Sequence, residues 1–141
     1  VETSLNLGIL NLNETSLDFS YSIRSAKAAE KEALFARITG VVCAAGGSFD
    51  SYGNYPAWEY RTESPLRDTM CRIYRDLYQK DPTVLVIHAG LECGLLSEKL
   101  PGLDCVSIGP DNFDIHTTEE HLSISSTARV YDYLKAVLAA L

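Results

Sequence analysis

The stretch Val84-Leu-Val-Ile-His-Ala-Gly-Leu-Glu-Cys-Gly94 sets an imidazole, His88, four residues before a carboxylate, Glu92, in a turn bracketed by Gly90 and Gly94. Imidazole is the commonest neutral nitrogen ligand for metals and titrates near neutral pH. A neighbouring carboxylate can complete a catalytic metal site. Two further histidines, His116 and His121, stand in and just after the polar run Asp111 to Glu120. Their spacing of five is not the i, i+4 arrangement that puts two imidazoles on one helical face. Cys93 could act as a nucleophile only with a base in hydrogen-bond reach, and His88 is the nearest in sequence. Arg24 could clamp a carboxylate through two parallel hydrogen bonds, or form an ordinary surface ion pair.

Each candidate has a plainer reading. The glycines could simply permit bends, with Glu92 solvated in the first turn of a helix, where negative charge is favoured. The histidines could be hydrogen-bonded loop residues. A catalytic zinc needs at least three protein ligands, and the chain has no HxD, no HExxH and no dense acidic cluster. Most ligands of any metal at His116 must therefore come from elsewhere.

These residues need elements to place them. Residues 5–12 and 16–24 read as two strands. In the second, Leu17, Phe19, Tyr21 and Ile23 alternate with Asp18, Ser20, Ser22 and Arg24; in the first, Leu5, Leu7, Ile9 and Asn11 would share a side. Asn13-Glu14 provides the turn. Ser25 is a good cap for a helix whose stripe is Leu34, Phe35, Ile38, Val41, Val42 and Ala45, stopped by Gly46-Gly47. A short strand over Ser48 to Tyr52 would complete a β-β-α-β antiparallel layer with a helix on one face. Gly53 and Pro56 then break the pattern, so a domain boundary falls between about 53 and 63.

Ser64-Pro65 opens a helix with Leu66, Met70, Ile73 and Leu77 as its buried stripe. Val84 to Ile87, four consecutive large apolar residues, predict a strand buried on both faces, and the ends of such strands are where open α/β sheets bind ligands. A short helix from Leu95 to Leu100 follows, then a second apolar strand from Asp104 to Ile108. The last helix is capped by Ser125 or Ser126 and turns Val130, Tyr131, Leu134, Val137, Leu138 and Leu141 inwards. This half reads as an α/β layer with a parallel or mixed sheet.

The 141 residues suffice for one domain or two small ones. With 46% apolar and 22% charged residues, the composition is that of a soluble globular protein. A net charge of −7 argues against nucleic acid and anionic membrane surfaces as partners. No signal peptide or membrane-spanning run appears. Cys43, Cys71, Cys93 and Cys105 form no CxxC pair, which suits reduced cysteines in the cytoplasm.

His88-Ala-Gly-Leu-Glu-Cys-Gly-Leu95, Leu103-Asp-Cys-Val-Ser-Ile-Gly-Pro110 and His116-Thr-Thr-Glu-Glu120, in that order, resemble the C-terminal part of the aminoacyl-histidine dipeptidases. These are the PepD-like zinc dipeptidases of the M20 metallopeptidase family. Ser22-Ile-Arg-Ser25 and Tyr55-Pro-Ala-Trp58 support the resemblance. It implies a cytoplasmic, two-domain enzyme in which a lid that mediates homodimerisation interrupts a di-zinc α/β catalytic domain. Residues 1–58 then look like the C-terminal part of an α+β lid, and residues 59–141 like the closing section of the catalytic domain. The chain, which opens on Val1 rather than Met, would be a fragment. An N-terminal part of the same enzyme would supply most zinc ligands and the general-base glutamate.

Position by position, the resemblance makes His116 the last zinc ligand. It places Glu92 and Gly94 in the substrate pocket, Glu92 towards the free α-ammonium, and makes Arg24 the lid arginine that holds the C-terminal carboxylate. His88 joins the substrate-binding group without a specified role, and Glu120 fits an HxxxE pattern without one. His-Thr-Thr-Glu-Glu departs from the family's usual His-Ser-Pro-Asp-Glu. The implied activity is zinc-dependent hydrolysis of Xaa-His-type dipeptides, with this chain inactive alone. Alternatives are another M20 amidohydrolase (tripeptidase, carboxypeptidase or deacylase) and a non-enzymatic dimerisation module.

Overall fold

Alternation at the N-terminus produces the first element pair. In the computed structural model, which describes residues 1–141, β1 (Thr3–Leu12) and β2 (Leu17–Ser25) form an antiparallel hairpin. The Asn13 carboxamide closes its loop by accepting from the amides of Thr15 (2.9 Å) and Ser16 (2.8 Å). A register shift between Leu7 and Ile9 marks a bulge at Gly8. Directly opposed residues share a face. The bulge therefore keeps Leu5 and Leu7 (opposite Ile23 and Tyr21) on the same side as Leu10 and Leu12 (opposite Phe19 and Leu17). Ile9 and Asn11, read from strict alternation as continuing the Leu5–Leu7 side, face the other way.

Helix α1 (Ala28–Ala44) packs on β2; Leu34, Phe35, Ile38 and Val42 are half-buried, while Val41 and Ala45 are exposed. Its cap is not Ser25. The Ser25 hydroxyl accepts the Lys27 amide (3.0 Å) and bonds the Thr3 hydroxyl (2.8 Å), and the first helical amide, at Ala28, donates to the Glu59 carboxylate (2.9 Å). Gly46, at φ +79°, ends the helix in a Schellman motif: its amide donates to Cys43 and that of Gly47 to Val42. Ser48–Tyr52 pairs with no strand.

Helix α2 (Pro65–Tyr78) starts where Ser64-Pro65 predicts. Buried Ser64 accepts the Arg67 amide (3.1 Å) and donates to Asp104 (2.7 Å), whose other oxygen takes the Leu66 amide (2.9 Å). Two orphan amides of the first turn are thus satisfied by one serine and one carboxylate. Ser64→Ala is expected to destabilise the chain by about 1–2 kcal/mol in urea unfolding, as for loss of a helix cap. An unshifted midpoint would mean that Asp104 caps α2 alone.

Helix α3 (Glu92–Lys99) begins three residues earlier than the Leu95 start read from the sequence. A small hairpin, β3 (Asn112–Phe113) with β4 (His121–Leu122), interrupts the expected polar loop. Helix α4 (Ile124–Leu138) is capped by Ser123, which accepts the Ser126 amide (3.2 Å), not by Ser125 or Ser126. Ser126 instead points inwards and accepts the Asp111 amide (2.8 Å). Tyr133 and Val137 of α4 join Met70 and Ile73 of α2 in a core that Val106 flanks. The Tyr133 hydroxyl donates to the Met70 carbonyl (2.8 Å). Tyr131, Leu134, Leu138 and Leu141 are exposed. Of the stripe read from the spacing, Val137 is buried and Val130 half-buried, and Tyr133, outside that stripe, completes the inward face.

The fold is mixed α/β, with four helices and two separate two-stranded antiparallel sheets. The parallel or mixed sheet expected in the C-terminal half is not formed within this chain. Val84, Leu85, Val86 and Ile87 are 48%, 75%, 50% and 45% exposed, without a ladder, and Asp104–Ile108 is likewise unpaired. A strand exists only through its neighbours, and the chain contributes none beside these segments. Two compact units result: Val1–Arg61 with Leu85–Leu103, and Thr62–Val84 with Asp104–Leu141. The N-terminal run of the first unit ends at Arg61, and Leu85–Leu103 packs with it. No helix is long and apolar enough to cross a membrane.

Candidate functional site

In the first unit, the His88–Gly94 turn is built on the Tyr55–Trp58 segment. A Cβ on Gly90 would lie 3.2 Å from the Tyr55 ring, and one on Gly94 would lie 3.1 Å from the Pro56 carbonyl oxygen and 3.5 Å from the Trp58 Cβ. Neither glycine has positive φ. They are small because another segment lies against them, not because the chain bends. Lys31 fixes that segment by donating to the Tyr55 carbonyl and to Asn54 (2.7 Å), its ammonium 5.4 Å from the Tyr55 ring centre. The Tyr55 hydroxyl is enclosed without a hydrogen-bond partner. Arg61 holds the chain beyond α3 by donating to the carbonyls of Gly102 (3.0 Å) and Leu103 (2.9 Å).

Glu92 is the first residue of α3, exposed and in no ion pair, and His88 is half-buried with no hydrogen bond to its ring. Cys93 is half-buried, and no disulfide forms among the four cysteines. Arg24 lies opposite Ser4 on the hairpin, next to the buried corner Ser25–Ala26. Its guanidinium is exposed and makes no ion pair, so the ordinary surface ion pair of the plainer reading is absent. No hydrogen bond or ion pair joins Arg24, His88 and Glu92 to one another. A cation and a carboxylate in this state can each receive a charged end of a ligand.

In the second unit, His116 rides the β3–β4 connection with φ +66°, two residues after Asp114 at φ +51°. One Glu120 oxygen accepts the His116 amide (3.1 Å) and the other accepts the Asn112 side chain (2.9 Å). The Asn112 amide, then the His116 N–H, hold the Glu120 carboxyl below its usual range. The two loop histidines differ in employment. His121 commits Nδ1 to the Glu119 carbonyl (2.8 Å) and stacks on Phe113 at 5.1 Å, whereas the exposed His116 ring makes no hydrogen bond. No three His, Cys, Asp or Glu residues of this chain are grouped to hold a metal ion. What His116 fits is the contribution of a single nitrogen donor on a fixed backbone. An open apolar groove formed by Leu122, Ile124, Thr127, Ala128 and Tyr131 contains none of these groups.

No family model matches the chain. Over 138 residues, 98% of its length, it is 33% identical to the cytosol non-specific dipeptidase of Escherichia coli (strain K12). The crystal structure of aminoacylhistidine dipeptidase from Vibrio alginolyticus matches the whole chain with a TM-score of 0.84, also at 33% identity. The chain is homologous to these dipeptidases. It spans 28% of the first protein and 29% of the second, so each of these dipeptidases has a much longer chain. The match runs through both unpaired extended segments of this dipeptidase homologue and through the β3–β4 connection that carries His116. The sequence signal for Glu120 was its spacing from His116; nothing in it pointed to Asn112, the other partner of that carboxylate.

Proposed function

We propose that the chain is the C-terminal section of a cytoplasmic, zinc-dependent dipeptidase of the M20 type that hydrolyses Xaa-His-type dipeptides. The observation that carries this reading is the 33% identity to a cytosol non-specific dipeptidase through 98% of the chain. Residues 1–58 are the closing part of a lid through which the enzyme forms a homodimer, and residues 59–141 close the catalytic domain. An N-terminal part of the same enzyme contributes the remaining metal ligands and the general base. The bare apolar run Val84–Ile87 supports this, since it needs neighbouring strands from outside the chain.

His116 would hold zinc through one ring nitrogen. Bound zinc supplies Lewis-acid polarisation of the peptide carbonyl and of water. Glu92, unpaired at the start of α3, receives the substrate's α-ammonium, and Arg24 receives its carboxylate through a bidentate pair. Gly94 serves the pocket by letting Trp58 and Pro56 close on the turn that carries Glu92, with His88 at the other end of that turn. These groups act by positioning, holding the scissile bond where the reacting atoms meet. With one metal donor, the chain alone is inactive.

The full-length enzyme, assayed on Xaa-His and other dipeptides before and after chelation, tests the reading. Hydrolysis lost to a chelator and restored by zinc, with Xaa-His preferred, is the expected result; chelator-resistant turnover would defeat it. The word "non-specific" in the relative's name favours a second reading with a broader dipeptide range, which equal turnover without histidine would select. Arg24→Ala is expected to raise KM for dipeptides about 10- to 100-fold, the equivalent of a charge-assisted hydrogen-bond pair. An unchanged KM would remove Arg24 from carboxylate recognition.

A further inference from the structure

We propose that Glu120 is the positioning residue for His116, its carboxylate fastening the left-handed turn on which the imidazole is mounted. The consequence for metal binding rests on the reading of His116 as a ligand. A residue with a Cβ occupies the left-handed region only when its surroundings hold it there, because Cβ crowds the following carbonyl. His116 is in that region at φ +66°, and the Glu120 carboxylate is the side chain that reaches its backbone amide, at 3.1 Å. The second oxygen reaches back to Asn112 in β3, at 2.9 Å, so one carboxylate ties the loop's apex to its base.

The rest of the loop supports that tie without replacing it. The Glu120 amide donates to the Thr117 carbonyl (3.3 Å), while Thr117 donates to the Asp114 carbonyl through its amide (3.1 Å) and hydroxyl (2.7 Å). These bonds shape the turns on either side of His116 but leave its own N–H to Glu120. The ring meanwhile stays uncommitted, so the loop directs the imidazole outwards by backbone restraint alone. Residue type follows from this. Two N–H donors face two oxygens; glutamine offers one acceptor and turns its NH2 on the other donor. Aspartate is one methylene short of the span.

The experiment compares Glu120→Gln, Glu120→Ala, His116→Ala and the double alanine variant in the full-length enzyme. Amide exchange over Asp114–Thr117 and the zinc dissociation constant are both measured. Both Glu120 variants are expected to exchange about tenfold faster at His116. They should bind zinc about 10- to 100-fold more weakly, as when an outer partner of a metal ligand is lost. Excess zinc should restore most of their kcat, and Glu120→Ala should add no further loss of zinc affinity in the His116→Ala background. Unchanged exchange at His116 would overturn the proposal. So would wild-type zinc affinity in Glu120→Ala when His116→Ala has lost its metal. Wild-type zinc affinity in His116→Ala overturns the ligand reading instead.

Discussion

Replacing His116 by alanine in the full-length enzyme is expected to remove zinc and dipeptidase activity together while leaving the fold almost untouched. Partners one shell out from a metal are worth about 10- to 100-fold, so deletion of a ligand should lower kcat by more than about 100-fold. The fold should survive because the ring makes no hydrogen bond and the loop is closed through the His116 backbone amide, Thr117 and Glu120. His121→Ala should do the opposite. Its ring stacks on Phe113 and bonds the Glu119 carbonyl, so its loss should loosen the hairpin and leave zinc content near that of the wild type. Metal stoichiometry and kcat measured on the two variants side by side decide the matter. Full zinc and normal turnover in His116→Ala would end the metal-ligand assignment.

That contrast between two histidines could not be drawn from spacing. Local features were legible: the alternation from Leu17 to Ile23, the Ser64-Pro65 helix start and the Gly46-Gly47 stop all depend on interactions between near neighbours. Features set by distant partners were not. Glu59 displaced Ser25 as the group that meets the start of α1, and Asp104 proved to cap α2 from within an apparent apolar strand. Gly8 moved one half of β1 to the opposite parity, an effect strict alternation cannot anticipate. Helix α4 is apolar on two sides, so periodicity identified the helix and placed Val137 inwards but missed Tyr133, the other α4 residue that meets Met70 and Ile73.

The candidate site divides along the same line. The turn containing His88 and Glu92 stood out because buried-strand character stops there abruptly. Its glycines suggested bending, whereas their φ values and surroundings show close approach by Tyr55, Pro56 and Trp58. Two motifs that looked independent in the sequence are one packed structure. In the other unit, the unusual backbone of His116 and the double acceptor role of Glu120 are properties of a three-dimensional loop.

The packed pair of motifs predicts a sharp size limit at Gly94. In an open helix, glycine to alanine stabilises by up to about 1 kcal/mol. Here the new Cβ would sit 3.1 Å from the Pro56 carbonyl oxygen, a backbone atom in a segment held by Lys31 at the Tyr55 carbonyl. Gly94→Ala should therefore gain little or nothing. Gly94→Val adds two methyl groups to the same space, and overpacking of this kind typically destabilises by about 1–3 kcal/mol. Either Trp58 is pushed off the turn or the first turn of α3 shifts, and Glu92 moves with it. Trp58 is the one tryptophan in the 141 residues, so its emission reports on the contact directly. A red shift in Gly94→Val, with a lowered urea midpoint in this chain and reduced dipeptide turnover in the full-length enzyme, is the expected result. A valine variant with the wild-type spectrum and midpoint would show that close approach is not why glycine stands there. The turn would then owe its shape to something other than the Tyr55–Trp58 segment.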